Sequence, residues 1–340
     1  MAVLCRLACA KGGGQGADGR IRTHRRAATL PTPSLCLAQL LVYMRLHLLS
    51  ALLLAMEPSA TALRRVLVTG GNKGIGQAIC KRILCDYPDA HVLLGSRNQA
   101  RGDKAVQQIV EAVPGAAGRI ETLALEVTTA TSVAAAAAAV AEKYATEETP
   151  LHGLVCNAGV GFGQTISETL AVNLYGAKRC CEAFVPLLAP DGGRVVTISS
   201  ASAPNFVAGL DAAQQQVFTS PQASWAQLDE ALQRYAASSD YEGQAYGLSK
   251  AALTQYTMQL AAAQPRLKVN ACSPGYVLTD LTAGMGATKR PDESNCHVAP
   301  LFLLFGEVPT PAGCAHYYGS DAVRSPLNVY RGPGDPPYTE

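Results

Sequence analysis

The sequence carries almost no net charge. Its 28 basic and 26 acidic residues leave a formal net charge of +2, and charged residues make up only 16% of the chain. A protein that holds nucleic acid or an anionic membrane through its surface charge shows a clear excess of basic residues. The balance therefore favours neither partner, and it is typical of an enzyme that acts on a small molecule.

Patterns that bind metals or form disulfides are also missing. None of the 11 cysteines belongs to a Cys-x-x-Cys pair, and the neighbours Cys180 and Cys181 cannot easily bridge. We therefore predict no zinc site, no disulfide framework and a reducing compartment. Hydrophobic residues, in contrast, make up 48% of the chain, which excludes a chain that is disordered throughout.

Residues 1–60 contain two acidic residues, Asp18 and Glu57, and several arginines. Such a basic leader resembles an organelle transit peptide. The apolar stretch 35–56 is interrupted by Arg45, so it would make a poor membrane anchor, and we expect no stable membrane insertion.

The alternative is that translation starts later, at Met44 or Met56, and that residues 1–60 are an untranslated leader. We expect a cytoplasmic protein if translation starts near Met56, and a chloroplast or mitochondrial one otherwise. In both cases residues 1–60 precede a catalytic domain at 61–321 and a tail at 322–340 that is rich in proline and glycine.

Apolar runs alternate with helical stretches from residue 65 onward. The predicted strands are 66–69, 91–95, 120–125, 154–156, 194–199 and 267–272, with 316–319 as a seventh candidate. The predicted helices are 74–85, 101–113, 131–144, 168–188 and 244–263. Alternating strands and helices build βαβ units, whose strands are parallel. We therefore predict an α/β fold of the Rossmann type, a doubly wound parallel sheet of about seven strands with helices on both faces.

Two glycine-rich segments compete for a phosphate-binding role. Residues 14–19 match G-x-G-x-x-G, but no predicted strand precedes them. Residues 69–76, the glycine loop, read Thr-Gly-Gly-Asn-Lys-Gly-Ile-Gly and join the first strand to the first helix. Glycines there let the backbone approach a pyrophosphate, which the amino end of the helix attracts. The predicted cofactor contacts in this loop are Gly70, Asn72, Lys73, Gly74, Ile75 and Gly76.

The end of the second predicted strand selects between NAD(H) and NADP(H). It reads Gly-Ser-Arg at residues 95–97 and lacks the acidic residue that binds the ribose of NAD. Arg97, with Lys73 and Asn72, offers polar groups to a 2′-phosphate, so we predict NADP(H). After the fourth strand, Asn157, Ala158 and Gly159 are small enough to let an adenosine ribose approach the backbone.

Four polar residues fall where a doubly wound fold binds its ligand. Tyr246 and Lys250 are four positions apart on a predicted helix, so both lie on one face. Ser200 follows a strand and Asn173 lies on a helix. All four can meet at the carboxyl edge of the sheet.

The motifs occur together in one order: 69–76, Asn157-Ala-Gly, Asn173, Ser199-Ser200, Tyr246 to Lys250, and Pro274-Gly275. As a set, over about residues 65–321, they resemble the short-chain dehydrogenase/reductase family. The glycine loop and the segment 270–280, Asn-Ala-Cys-Ser-Pro-Gly-Tyr-Val-Leu-Thr-Asp, are most similar to NADPH-dependent carbonyl reductases.

The resemblance implies a role for each residue. Tyr246 donates a proton to a carbonyl oxygen as hydride arrives from the nicotinamide, and Ser200 hydrogen-bonds that oxygen. Lys250 lowers the pKa of Tyr246, and Asn173 holds a water that relays protons to Lys250. The residues implied to cover the nicotinamide are Pro274, Gly275, Val277 and Thr279, and those implied to border the adenine are Glu126 and Val127.

Two segments depart from the usual pattern of the family. Residues 201–243, before the tyrosine, form a long insertion with a helix-like stretch around Trp225. In the carbonyl reductases such an insertion covers a dimerisation face, so we expect a monomer. The stretch from Asn157 to Asn173 is shorter than usual, which predicts a more open substrate wall.

The implied function is reduction of an aldehyde, ketone or quinone by NADPH. Two alternatives stay open at this point. One is a regulator that binds NADP(H) without turnover, and the other is an alcohol or hydroxysteroid dehydrogenase that works in the oxidative direction.

Overall fold

A computed structural model describes residues 63–308 and 314–339 of the chain. The strands are β1 (Arg64–Thr69), β2 (Ala90–Ser96), β3 (Ile120–Ala124), β4 (Gly153–Cys156), β5 (Arg194–Ile198), β6 (Lys268–Cys272), β7 (Tyr317–Tyr318) and β8 (Arg324–Ser325). The helices are α1 (Gly74–Asp86), α2 (Gln99–Ala112), α3 (Ala130–Lys143), α4 (Ile166–Leu170), α5 (Ala177–Phe184), α6 (Ser202–Ala208), α7 (Ala212–Thr219), α8 (Trp225–Ala236), α9 (Ala245–Ala263) and α10 (Val298–Phe305). The predictions for residues 1–60 lie outside the described residues.

The strands join in the order β3-β2-β1-β4-β5-β6-β7-β8. Strands β1 to β7 are parallel, and β8 pairs antiparallel with β7. The order of strands reverses between β1 and β4, which is where doubly wound sheets bind ligands. The predicted fold class is confirmed. Strand β8 was not predicted because it is only two residues long and lies in a tail rich in proline and glycine.

Strand β1 shows why the sheet is covered on both faces. Leu67 packs into the hydrophobic cluster that includes residues of α3, α5 and α9. Its neighbours Val66 and Val68 point the other way and pack with residues of α1, α2 and α10. Successive side chains of a strand alternate between faces, so a strand buried on both sides is apolar at every position.

The predicted helix 168–188 is interrupted. Between α4 and α5 the backbone forms a π-helical turn, Ala171–Gly176, and after α5 it tightens into a 3-10 turn, Val185–Leu187. Pro186 has no N–H for an α-helical bond, which accounts for the second change. No residue type announces a π turn, so the sequence pattern could not predict the first. Within residues 63–308 and 314–339, no helix is both long and apolar enough to cross a membrane.

The insertion is helical, as predicted, and it folds back onto the main domain. Its α8 begins with Trp225, whose ring meets Tyr175 and Tyr256 edge-on, with centroids 6.0 Å and 5.9 Å apart. The Lys178 Nζ lies 5.0 Å from the centroid of the Trp225 ring. The hydroxyl of Tyr175 donates to Asp229 Oδ1 at 2.7 Å. One aromatic cluster with polar edges thus fixes the insertion.

An ion pair and backbone hydrogen bonds hold the C-terminal tail in place. Arg331 is buried and pairs with Asp321, with Nη2 2.6 Å from Oδ2. The same guanidinium donates to the backbone oxygens of Asp335 and Pro336. The planar fork of arginine suits such a set of acceptors, which holds the tail against the end of the sheet.

Candidate active site

The glycine loop turns sharply between β1 and α1. Gly70 and Gly74 have φ angles of +64° and +58°, in the left-handed region that favours glycine. A Cβ atom at Gly76 would lie 2.4 Å from Asn157 Nδ2 and 2.5 Å from the oxygen of Gly70. Only a residue without a side chain lets α1 begin this close to β4.

The amino end of α1 has the features of an anion-binding site. Within the described residues, its first turn holds no acidic side chain, and Lys73 at the N-cap makes no capping hydrogen bond. Backbone N–H groups of a first helical turn have no partner inside the helix and carry a partial positive charge. The loop therefore fits the pyrophosphate of a dinucleotide.

The β4 loop (residues 157–165) is tied to the glycine loop by four hydrogen bonds. Asn157 Nδ2 donates to the oxygens of Thr69 and Gly70, at 2.9 Å and 3.2 Å. Thr69 Oγ1 accepts from the backbone nitrogens of Asn157 and Ala158, at 3.0 Å and 2.9 Å. The Asn157 amide is used in holding the two loops together, so its contribution to a cofactor site is to shape it.

A cleft of about 710 Å³ runs along the carboxyl ends of the strands. Its size is typical of a cofactor site. It is lined by most of the predicted residues: Gly70, Asn72, Lys73, Gly74, Ile75, Gly76, Arg97, Glu126, Val127, Asn157, Ala158, Gly159, Tyr246, Lys250, Pro274 and Thr279.

Two predicted cofactor residues do not line the cleft. Val277 is buried, and its backbone oxygen accepts a hydrogen bond from Thr282. Gly275 has a φ of +86° and lies against Ser320. Both residues shape the turn after β6, and Pro274 and Thr279 reach the cleft from the same turn.

Tyr246 and Lys250 lie in the first turns of α9. The Lys250 Nζ is 5.7 Å from the centroid of the Tyr246 ring and donates to the oxygen of Ile198 at 2.8 Å. The Ser200 hydroxyl lies close enough to Tyr246 to lower the pKa of the phenol. These three groups therefore meet where β5 ends.

The two serines after β5 have different partners. Ser199 is buried and donates from Oγ to the oxygen of Lys250 at 3.2 Å, and its Oγ lies 2.7 Å from Thr254 Oγ1. It fixes α9 against the sheet. Ser200 Oγ accepts from the nitrogen of Ser202 at 3.1 Å, which leaves its proton to donate.

Asn173 lies in the π-helical turn and ties the β4 loop to α9. Its Nδ2 donates to the oxygen of Val160 at 3.0 Å and to Ser249 Oγ at 2.9 Å, and its Oδ1 accepts from the nitrogen of Val160 at 2.8 Å. The side chain thus positions the wall of the cleft. That Asn173 also holds a water near Lys250 stays a prediction.

Known proteins are similar to this chain over the domain that holds these residues. A family model described as short chain dehydrogenase matches residues 64–212. Carbonyl reductase (NADPH) 1 of Pongo abelii is 31% identical over 269 residues, a span that covers 73% of this chain and 93% of that protein. The chain belongs to the short-chain dehydrogenase/reductase family. The resemblance inferred from the order of the motifs is confirmed, and the chain is an oxidoreductase of that family.

Other relatives have similar extents. (+)-Neomenthol dehydrogenase of Arabidopsis thaliana is 29% identical over 290 residues, which cover 74% of this chain and 95% of that protein. The solved structure of salutaridine reductase from Papaver somniferum has a TM-score of 0.64 at 24% identity, over 75% of this chain and 99% of that one. At that identity the structural likeness shows the fold alone.

In this short-chain dehydrogenase/reductase, sequence reasoning missed some residues of the cleft. Ser96, Asn98 and Arg101 line it beside Arg97, and Asn98 Oδ1 caps α2 by accepting from the nitrogen of Arg101 at 2.9 Å. A second arginine one turn after Arg97 was a usable signal. Leu281 also lines the cleft, but nothing in its sequence context marks it.

Both cations predicted to hold a 2′-phosphate are paired with carboxylates. Lys73 Nζ lies 2.6 Å from Asp280 Oδ2, and Arg97 Nη1 lies 3.9 Å from Glu126 Oε2. The side chains of Lys73 and Arg97 are 64% and 72% exposed, and exposed ion pairs are weak. Both cations can therefore turn to a bound anion at little cost.

Burial controls the protonation of the two central groups. It lowers the pKa of Lys250 to about 8. It also raises the pKa of Tyr246, and the neighbouring Ser200 hydroxyl opposes this rise. The resemblance predicted that Lys250 would lower the pKa of Tyr246. The pKa is raised instead, because the cost of removing the phenolate from water exceeds the effect of the Ser200 hydroxyl.

Replacing Lys250 with Met should stabilise the fold at pH 7. Burial lowers the pKa of Lys250 from 10.5 to about 8, so below pH 8 the buried cation costs about 3 kcal/mol of stability. The penalty shrinks as the pH rises from 8 towards 10.5, where the unfolded lysine also loses its proton. Since the variant loses a hydrogen bond worth about 1 kcal/mol, we expect a net gain of about 2 kcal/mol at pH 7 and almost none at pH 9.5.

Urea unfolding followed by circular dichroism measures both values. Lys104→Met, at an exposed lysine of α2, is the control and should change the free energy of unfolding by less than about 0.5 kcal/mol. A Lys250→Met variant that is less stable than the parent at pH 7 would show that the buried cation is compensated.

Proposed function

We propose that the protein reduces an aldehyde, ketone or quinone with NADPH, with Tyr246 as proton donor. The observation that carries the proposal is that Tyr246 and Lys250 line a cleft that fits a dinucleotide, with Ser200 beside Tyr246. The relative named carbonyl reductase (NADPH) 1 supports the same reaction class. NADPH, when bound, supplies the hydride.

The side chains account for the proton. The phenol of Tyr246 is protonated at neutral pH and can give its proton to a carbonyl oxygen, although burial raises its pKa and so makes it a weaker acid. Ser200 is placed beside the phenol to donate a second hydrogen bond to that oxygen. Lys250, with a pKa of about 8, is mostly cationic at pH 7 and stabilises the phenolate that Tyr246 leaves behind.

The cofactor preference is part of the proposal. The end of β2 presents Ser96, Arg97 and Asn98 to the cleft, and Arg101 follows on α2. These groups would hold a 2′-phosphate, whereas an acidic residue there would hold a free ribose hydroxyl.

Tyr246→Phe tests the acid. The variant keeps the ring and loses the proton, so kcat/KM with a carbonyl should fall by a factor of about 1000 while NADPH still binds. Consumption of NADPH, followed by its absorbance with a quinone and an aromatic aldehyde, gives the rate, and fluorescence titration gives the binding. Tight NADPH binding by the parent protein without reduction of any carbonyl would favour the regulator. Faster turnover of alcohols with NADP⁺ would favour a dehydrogenase.

Arg97→Glu tests the cofactor preference. A carboxylate at this position repels a 2′-phosphate and accepts a ribose hydroxyl, so the ratio of kcat/KM for NADPH over NADH should fall by about 100-fold. Arg82→Glu, on an exposed arginine of α1 outside the cleft, is the control and should leave the ratio unchanged. An unchanged ratio in Arg97→Glu would contradict the assignment of the 2′-phosphate site.

We also propose that the protein is a monomer. Gln255 and Gln259 on α9 donate from Nε2 to the backbone oxygens of Ser220 and Ala223, each at 2.9 Å. The insertion therefore covers the face of α9 that relatives without it use to dimerise. Light scattering should give the mass of one chain, and the mass of a tetramer would refute the proposal.

A further inference from the structure

Phe162 presents an exposed aromatic ring to the proposed proton donor. Its ring centroid lies 5.0 Å from that of Tyr246, with the two planes inclined by 44°. The side chain is nevertheless 51% exposed. A phenylalanine usually buries most of its surface. A ring that contacts Tyr246 and stays exposed to solvent is therefore a candidate contact for a ligand.

The position of Phe162 is fixed by the loop that carries it. Val160, two residues earlier, is held at both its nitrogen and its oxygen by Asn173. A Cβ atom on Gly161 would lie 2.5 Å from Cγ of Leu281, so the segment after β6 packs directly on the loop. Both contacts lie next to Phe162, so its ring is placed over Tyr246 by a pinned backbone.

The wall around Tyr246 has no partner for an anionic substrate. Of the cleft residues that the described β4 loop and α9 contribute, Lys250 alone is charged, and it is buried and bonded to the oxygen of Ile198. After β6, the charged cleft residues are Asp280, Arg290 and Asp292, and together they carry a net negative charge. Burying a carboxylate or phosphate without a partner is unfavourable, whereas an apolar group gains by covering an exposed ring.

We propose that Phe162 is a specificity-determining residue that selects uncharged carbonyl compounds with an apolar ring beside the carbonyl group. The substrate ring packs on Phe162 while its oxygen reaches Tyr246 and Ser200. This inference rests on the proposed reduction of carbonyl compounds and adds the class of substrate. Short aliphatic aldehydes, which cannot reach Phe162, and 2-keto acids, which bring an unpaired charge, are poorer substrates.

The ring of Phe162 also shields Tyr246 from water. Burial is the main cause of the raised pKa of Tyr246. The other groups near the phenol are Lys250 on the same helix, Ser200 after β5 and Tyr317 on β7. Removing the Phe162 ring leaves these three in place and exposes the phenol, so the pKa of Tyr246 falls. Reduction needs the protonated phenol, and the alkaline limb of kcat/KM therefore moves to lower pH.

The experiment compares Phe162→Ala and Phe162→Leu with a control, Leu63→Ala. Leu63 is also an exposed apolar side chain, 43% exposed, but it precedes β1 at the opposite edge of the sheet. Each protein is assayed with NADPH and three carbonyls: a monocyclic ketone, a short aliphatic aldehyde and a 2-keto acid. NADPH titration by fluorescence and thermal unfolding report on the fold independently of turnover.

In Phe162→Ala, KM for the cyclic ketone should rise about tenfold, while kcat/KM for the short aldehyde stays within about twofold. Phe162→Leu keeps an apolar contact and should give an intermediate KM. Leu63→Ala should match the parent protein throughout. The alkaline limb should move to lower pH in Phe162→Ala and stay in place in Leu63→Ala.

Two results would overturn the inference while leaving the proposed function intact. One is an equal loss on the cyclic ketone and the short aldehyde in Phe162→Ala, and the other is a parent protein that prefers the 2-keto acid. A parent protein that binds NADPH but reduces none of the three carbonyls overturns the proposed function itself, and the two failures are therefore separable.

Discussion

The close approach of two loops at the point where the sheet reverses is the constraint on which the site depends. Asn157 and Thr69 join the β4 loop to the glycine loop, and Gly76 leaves the space for that junction. If the loops were farther apart, the amino end of α1 and the polar groups of α9 would not face one cleft. The fold therefore brings the amino end of α1 and the side chains of Tyr246 and Lys250 to one cleft before any ligand is involved.

Burial governs the protonation of the two central side chains of the site. Loss of contact with water raises the pKa of Tyr246 and lowers the pKa of Lys250, and each shift favours the neutral form of the side chain. For the tyrosine this keeps the phenol uncharged, and for the lysine it leaves a cation that the fold tolerates at a cost. The buried lysine therefore lowers the stability of the domain that holds it at neutral pH.

Much of the fold and the site could be predicted from the sequence. The alternation of apolar runs and helices gave the parallel sheet, and the glycine loop stood in the right context between a strand and a helix. What pattern reasoning missed depended on tertiary contact. Leu281 enters the cleft because it packs on Gly161, and Arg331 holds the tail because Asp321 lies nearby. The predicted direction of the pKa shift of Tyr246 was wrong, because the sequence does not show how deeply the side chain is buried.

The π-helical turn at Ala171–Gly176 limits where a residue can be deleted and how the chain is aligned with its relatives. Such a turn holds one residue more than an α-helix of the same span, and each residue turns an α-helix by about 100°. Deleting a single residue of this turn would rotate the helix on one side of it relative to the helix on the other side. An alignment that places its gap a few positions away would pair Asn173 with a residue on the wrong face.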